Sequence, residues 1–94
     1  MPADAPEVIF VLFFRGAQEA ERIELVLRRA LHACERAYHI AVFDVEKFPA
    51  VAEQYQVLAT PTIVCDDLIS GTRDRCVGAM STEHIENFVQ ARTQ

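Results

Sequence analysis

The sequence predicts an α/β domain built on one mixed four-stranded sheet, with helices on both faces. Three observations carry that prediction. Glu7–Phe14, "EVIFVLFF", is a continuous apolar run rich in β-branched and aromatic residues, the pattern of a strand covered on both sides. From about Gln18 to Ala37, Ala20, Ile23, Leu27, Ala30, Leu31 and Cys34 recur at three- and four-residue spacing, which marks an amphipathic helix lying on a sheet. Pro61 stands at the mouth of the β-branched run Thr62–Cys65. Proline has no N–H for a strand ladder, so the first residue of a strand is a place that accepts it.

The remaining elements follow in order. "HIAVFDV", His39–Val45, alternates loosely and reads as the second strand. Pro49 suits the first turn of a short helix, with Val51, Ala52 and Tyr55 as its apolar face. After the third strand, "DDLISGTRD" is rich in turn residues, and Arg75–Met80 is expected as a fourth strand. Ser81 fits an N-cap, Glu83 favours the first helical turn, and Ile85, Phe88 and Val89 form the stripe of the last helix. The order is β-α-β-α-β-β-α. A long helix between the first two strands makes them parallel with a right-handed crossover, and the last two strands form an antiparallel hairpin. The expected strand order is 2-1-3-4. Met1–Pro6 is expected to be a flexible leader, and residues 7–94 one domain.

Composition narrows the function. The 94 residues are 51% hydrophobic and 24% charged, ordinary for one globular domain with its own core. A net charge of −5, with Arg28–Arg29 and Arg73/Arg75 as the closest basic groupings, argues against a nucleic-acid binder, which shows a basic face. The apolar run Val8–Phe14 is far shorter than the roughly 20 residues that span a bilayer. The acidic start "MPADAPE" lacks the charged opening of a signal peptide. Three cysteines with no Cys-x-x-Cys do not make a secreted disulfide framework, so the cytoplasm is the expected compartment. Gly16, Gly71 and Gly78 are too far apart for a phosphate loop, and His32, His39 and His84 share no metal-ligand spacing, so no cofactor or metal is expected.

The stretch "FDVEKFPAVAEQYQVLATPTIV", Phe43–Val64, and the tail "CVGAMSTEHIENFV", Cys76–Val89, resemble the second half of a thioredoxin-like domain. The resemblance implies a cis bond between Thr60 and Pro61, facing the start of the first helix. Redox members of that fold begin this helix with Cys-x-x-Cys, where the helix end lowers a thiol pKa. Here the matching stretch is "FFRGAQEAER", Phe13–Arg22, which contains no cysteine. Asp44-Val45, Pro49, Ala52 and Leu58-Ala59-Thr60-Pro61 are closer to the branch that lost the motif, the circadian-clock KaiB family with the related SasA sensor domain. That resemblance implies a non-enzymatic, redox-inactive protein-interaction module whose partner is a KaiC-type ring ATPase. The tail lacks KaiB's proline-rich segment and Ile-Gly-Asp motif, so neither fold switching nor the KaiB tetramer is expected.

Thr60 and Pro61 form the structural turn before the third strand, beside the place where a partner groove lies in this fold. Arg15, Gly16 and Gln18, at the loop that replaces the dithiol, are candidate partner contacts. If Ser70-Gly71 makes a two-residue hairpin turn, residue 65 stands opposite 76. Cys65 and Cys76 would then be a candidate thiol pair or shared metal ligands, against the favoured reading of buried free cysteines. Cys34 reads as core, and Asp44, Asp66 and Asp67 as solvated turn residues. Two rival functions stay open, an atypical thiol oxidoreductase or redox sensor, and a thioredoxin-like chaperone in the maturation of another enzyme.

Overall fold

The structure is a computed structural model, and it describes residues 5–94. Met1–Asp4, the first part of the expected leader, lie outside the described residues. The elements are β1 (Val8–Phe14), α1 (Ala17–His32), β2 (Tyr38–Asp44), α2 (Pro49–Gln54), β3 (Thr62–Asp67), β4 (Thr72–Val77) and α3 (Thr82–Thr93). The sheet order is β2-β1-β3-β4, as expected. β1 pairs parallel with β2 and antiparallel with β3, and β3 pairs antiparallel with β4.

β1 explains its own composition. As an inner strand it sends side chains into two cores at once. Val8, Phe10 and Leu12 pack with Ile23, Leu27 and Leu31 of α1 and with Ile85, Phe88 and Val89 of α3. Val11 and Phe13 pack on the other face with Ala52 of α2 and the half-buried Tyr55. Phe13 stacks on Phe43 at 5.8 Å and meets Tyr55 at 5.3 Å, so α2 is seated on an aromatic cluster.

Several boundaries differ from expectation. Helix α1 stops at His32 rather than Ala37. The Cys34 Sγ accepts the Arg36 N–H at 3.2 Å, and the Ala37 carbonyl is taken by the N–H groups of Glu7 and Val8, so the chain must turn here to enter β2. Asp66 and Asp67, expected in a turn, extend β3, and β4 spans Thr72–Val77 rather than Arg75–Met80. The physical reason is the hairpin turn. The Asp67 carboxylate accepts the N–H groups of Ile69 and Ser70 at 2.9 and 3.1 Å, and the Asp67 carbonyl accepts Gly71 N–H. That closes a loop over Leu68–Gly71, longer than the expected two-residue turn, with Gly71 at φ +75°. The register therefore shifts by two, and Cys65 faces Asp74 while Ile63 faces Cys76. The two cysteines are not directly opposed. A shift of two preserves the pleat, so both still point into the core under α1 and α3.

The N-cap at Ser81 is as expected, its hydroxyl accepting the His84 N–H at 3.1 Å. At the opposite end of the sheet, Arg36 grips Asp67 with two bonds of 3.0 and 3.1 Å and donates to the Arg92 carbonyl at 3.1 Å. One guanidinium thus ties the α1–β2 connection, the hairpin and α3 together. It also holds the Asp67 carboxyl well below the usual carboxylate range.

Candidate functional site

The site is built by the way α2 ends. Tyr55 is the C-cap, and Gln56 follows in the left-handed region at φ 56°. The Val57 N–H reaches back to the Ala52 carbonyl and the Gln56 N–H to the Glu53 carbonyl, both at 2.9 Å. This is a Schellman motif with glutamine where glycine is usual. Ala52 and Val57, the residues that such a motif brings together, both belong to the apolar cluster on the α2 face. Arg75 of β4 satisfies two further carbonyls there, donating to Tyr55 at 2.7 Å and to Gln56 at 3.2 Å.

The chain then runs through Leu58-Ala59-Thr60 to a cis bond between Thr60 and Pro61, the geometry that the resemblance implied. Two bonds pin this loop. The buried Thr62 hydroxyl donates to the Ala59 carbonyl at 2.6 Å, and the Gly78 N–H donates to the Pro61 carbonyl at 2.9 Å. Leu58 stands between the Val57 N–H bonded to Ala52 and the pinned Ala59 carbonyl, and projects outward, 97% exposed. Val45, Pro49, Ala52, Val57, Leu58 and Ala59 give an apolar lining to an open cleft, with Arg15, Glu53 and Arg75 as its charged groups. Arg15 reaches Glu46 in an exposed ion pair of 3.7 Å, too solvated to fix either side chain.

The structure brings some expected site residues together and separates others. Arg15 and Thr60 line the same cleft. Gly16 and Gln18 are exposed at the start of α1 but do not line it, and Pro61 is buried behind it. Sequence reasoning missed Leu58, Val57, Pro49 and Arg75. The only signal for Leu58 was its place in a loop, where an apolar side chain has no sheet or helix face to bury it.

The thiols sit elsewhere. Cys65 and Cys76 are buried and free, and Cys34 is half-buried and free. Burial pushes the Cys65 thiol up to about 11 and also raises that of Cys76. Cys76 Sγ lies 4.0 Å from the Met80 sulfur, an apolar neighbour. Among the described residues, no group of three His, Cys, Asp or Glu side chains is placed to hold a metal ion, and no helix is long and apolar enough to cross a membrane. His32, His39 and His84 are all exposed and lie on separate elements.

No protein-family model matches the chain, and no curated protein matches it. Known structures do. A thioredoxin variant from Halobacterium salinarum superposes with a TM-score of 0.74 at 20% identity, over 95% of this chain and 77% of that one. Oxidised thioredoxin from Plasmodium falciparum gives 0.77 at 18%, over 95% and 84%. The N-terminal domain of SasA from Synechococcus elongatus gives 0.74 at 22%, over 95% and 85%. At these identities it is the architecture that is shared, and the chain has the thioredoxin-like fold.

Proposed function

We propose that the protein is a redox-inactive interaction module of the KaiB and SasA sensor-domain type, which docks a protein partner through the cleft beside the Thr60–Pro61 turn. The observation that carries this reading is Leu58. A leucine 97% exposed, on a loop held by bonds on either side, is an apolar group presented at fixed geometry. An apolar group already held at fixed geometry gives up little conformational entropy when a partner buries it. The start of α1, where redox members of the fold carry their dithiol, offers Arg15-Gly16-Ala17-Gln18 instead. A nucleophilic thiol needs a lowered pKa and access, and burial acts against both at Cys65 and Cys76. The same burial disfavours the thiol-enzyme rival at these two cysteines. On the resemblance of Phe43–Val64 to the clock branch, the partner is a KaiC-type ring ATPase, met in the cytoplasm, and no cofactor is required.

Leu58→Ala tests the reading. Burying a leucine side chain is worth about 1.5–3 kcal/mol, which corresponds to roughly 10–150-fold in Kd. Titration of a KaiC-type ATPase with wild type and variant should show a loss in that range. Because the side chain touches so little of its own chain, stability should stay within about 0.5 kcal/mol of wild type. Equal affinities would remove Leu58 from the interface. No binding by wild type would remove this class of partner.

A further inference from the structure

Arg75 differs from the other arginines that brace the sheet. Arg36 holds Asp67, Arg73 holds Asp66 and Arg92 faces Asp74, so each of those charges is met by a carboxylate. Arg75 donates instead to the carbonyls of Tyr55 and Gln56, and among the described residues no carboxylate lies within ion-pair reach of it. A guanidinium has more N–H donors than two carbonyls can take. Arg75 is therefore exposed and held in place, with its charge unanswered and donors left over.

This cation stands beside the apolar anchor. Arg75 and Leu58 line the same cleft, and the turn that Arg75 braces leads directly into Leu58. Val77 lies two residues further along β4, so it shares the face of Arg75, and it is 49% exposed. Its register partner is Thr62, whose hydroxyl holds the Ala59 carbonyl, so Val77 adds apolar surface beside the same loop.

The geometry points to a segment of a partner protein that brings one Asp or Glu side chain to Arg75 and an apolar side chain to Leu58. The inference rests on the docking function proposed above and adds the chemistry of what docks. The charged lining of the cleft is Arg15, Arg75 and Glu53, and Glu46 meets Arg15 only in an exposed contact of 3.7 Å. A carboxylate from outside thus answers a charge that the chain itself leaves open, and a basic side chain finds only Glu53. The net charge of −5 acts weakly here. Glu21, Glu24, Glu83 and Glu86 lie on α1 and α3, across the sheet from α2, and charges more than roughly 8 Å apart are largely screened at physiological ionic strength.

Selection from a displayed library of random heptapeptides tests this. Wild type should enrich peptides that carry Asp or Glu close to an apolar residue, and Leu58→Ala should lose that enrichment. Changing the acid of the best peptide to its amide should weaken binding roughly 2–5-fold in fluorescence polarisation, the range of an exposed ion pair. Arg75→Gln should bind the acid and amide peptides equally. That variant also removes two bonds from the turn, so Glu53→Gln, at an exposed side chain, is the second one. It should bind the acidic peptide more tightly than wild type does and leave the amide peptide unchanged. Leu58-dependent peptides with no preference for an acid would overturn this inference and leave the docking reading standing. Enrichment indifferent to Leu58→Ala would overturn the docking reading itself. A library that yields no binder, or a Leu58-dependent dimer in sedimentation, would also overturn the inference, and titration with the KaiC-type ATPase would then decide the docking reading alone.

Discussion

The thiols give a prediction that can be worked to a number. The perturbation is a thiol-specific alkylating reagent, added to the native protein and to the protein in denaturant at about pH 7.5, where the thiolate is the reacting form. Burial lifts Cys65 from the ordinary 9.0 to about 11. Two units of pKa reduce its thiolate population roughly 100-fold. Access lowers the rate further, because Cys65 is 2% exposed and Cys76 6%, so a reagent must wait for the core under α1 and α3 to open. Mass spectrometry of timed samples should find Cys65 modified at least about 100-fold more slowly in the native protein than in denaturant. Cys76 should also be slow, and the half-buried Cys34 should be the first native site to react. Native modification of Cys65 or Cys76 at a rate near that in denaturant would refute the burial argument and revive a thiol function.

Other predictions follow from the same geometry. Gln56→Gly should stabilise the protein by up to about 1 kcal/mol, because a left-handed residue with a Cβ costs about 1–2 kcal/mol and glycine gives back part of that in chain entropy. A lowered denaturation midpoint for this variant would contradict the Schellman assignment. Asp67 predicts an acid dependence. Its folded pKa is depressed, so its contribution is complete above the ordinary carboxylate value of 3.8 and is lost as pH falls below it. Wild type should lose stability across that acid range, and Asp67→Asn, less stable at neutral pH, should lose less of it. Parallel acid curves for the two proteins would show that Arg36 does not depend on the charge. Leu58→Ala should weaken partner binding about 10–150-fold at nearly unchanged stability, the contrast expected of a surface anchor.

The parts of the fold that were legible in the sequence are those set by burial periodicity. Glu7–Phe14 had to be an inner strand because alternate residues enter different cores, and the stripe of Ala20, Ile23, Leu27 and Leu31 is the buried face of α1. What escaped was decided by single side chains meeting the backbone. The Asp67 carboxylate lengthened the hairpin loop and moved the register, and the Cys34 and Arg36 contacts ended α1 early. The turn at Thr60–Pro61 was legible through its resemblance to other chains, since nothing in local propensity specifies the isomer. The cleft was legible only at Arg15 and Thr60. Leu58 and Arg75 meet there because β4 lies beside the end of α2, a neighbourhood that the sequence does not contain.

The central claim is that partners dock beside the Thr60–Pro61 turn, and amide hydrogen exchange of the protein with and without a KaiC-type ATPase tests it directly. The account predicts slowed exchange in Val57–Thr60 and at Arg15, with α3 and the Leu68–Gly71 loop unchanged. Protection confined to α3 or that loop would place the docking surface at the far side of the fold and contradict the account.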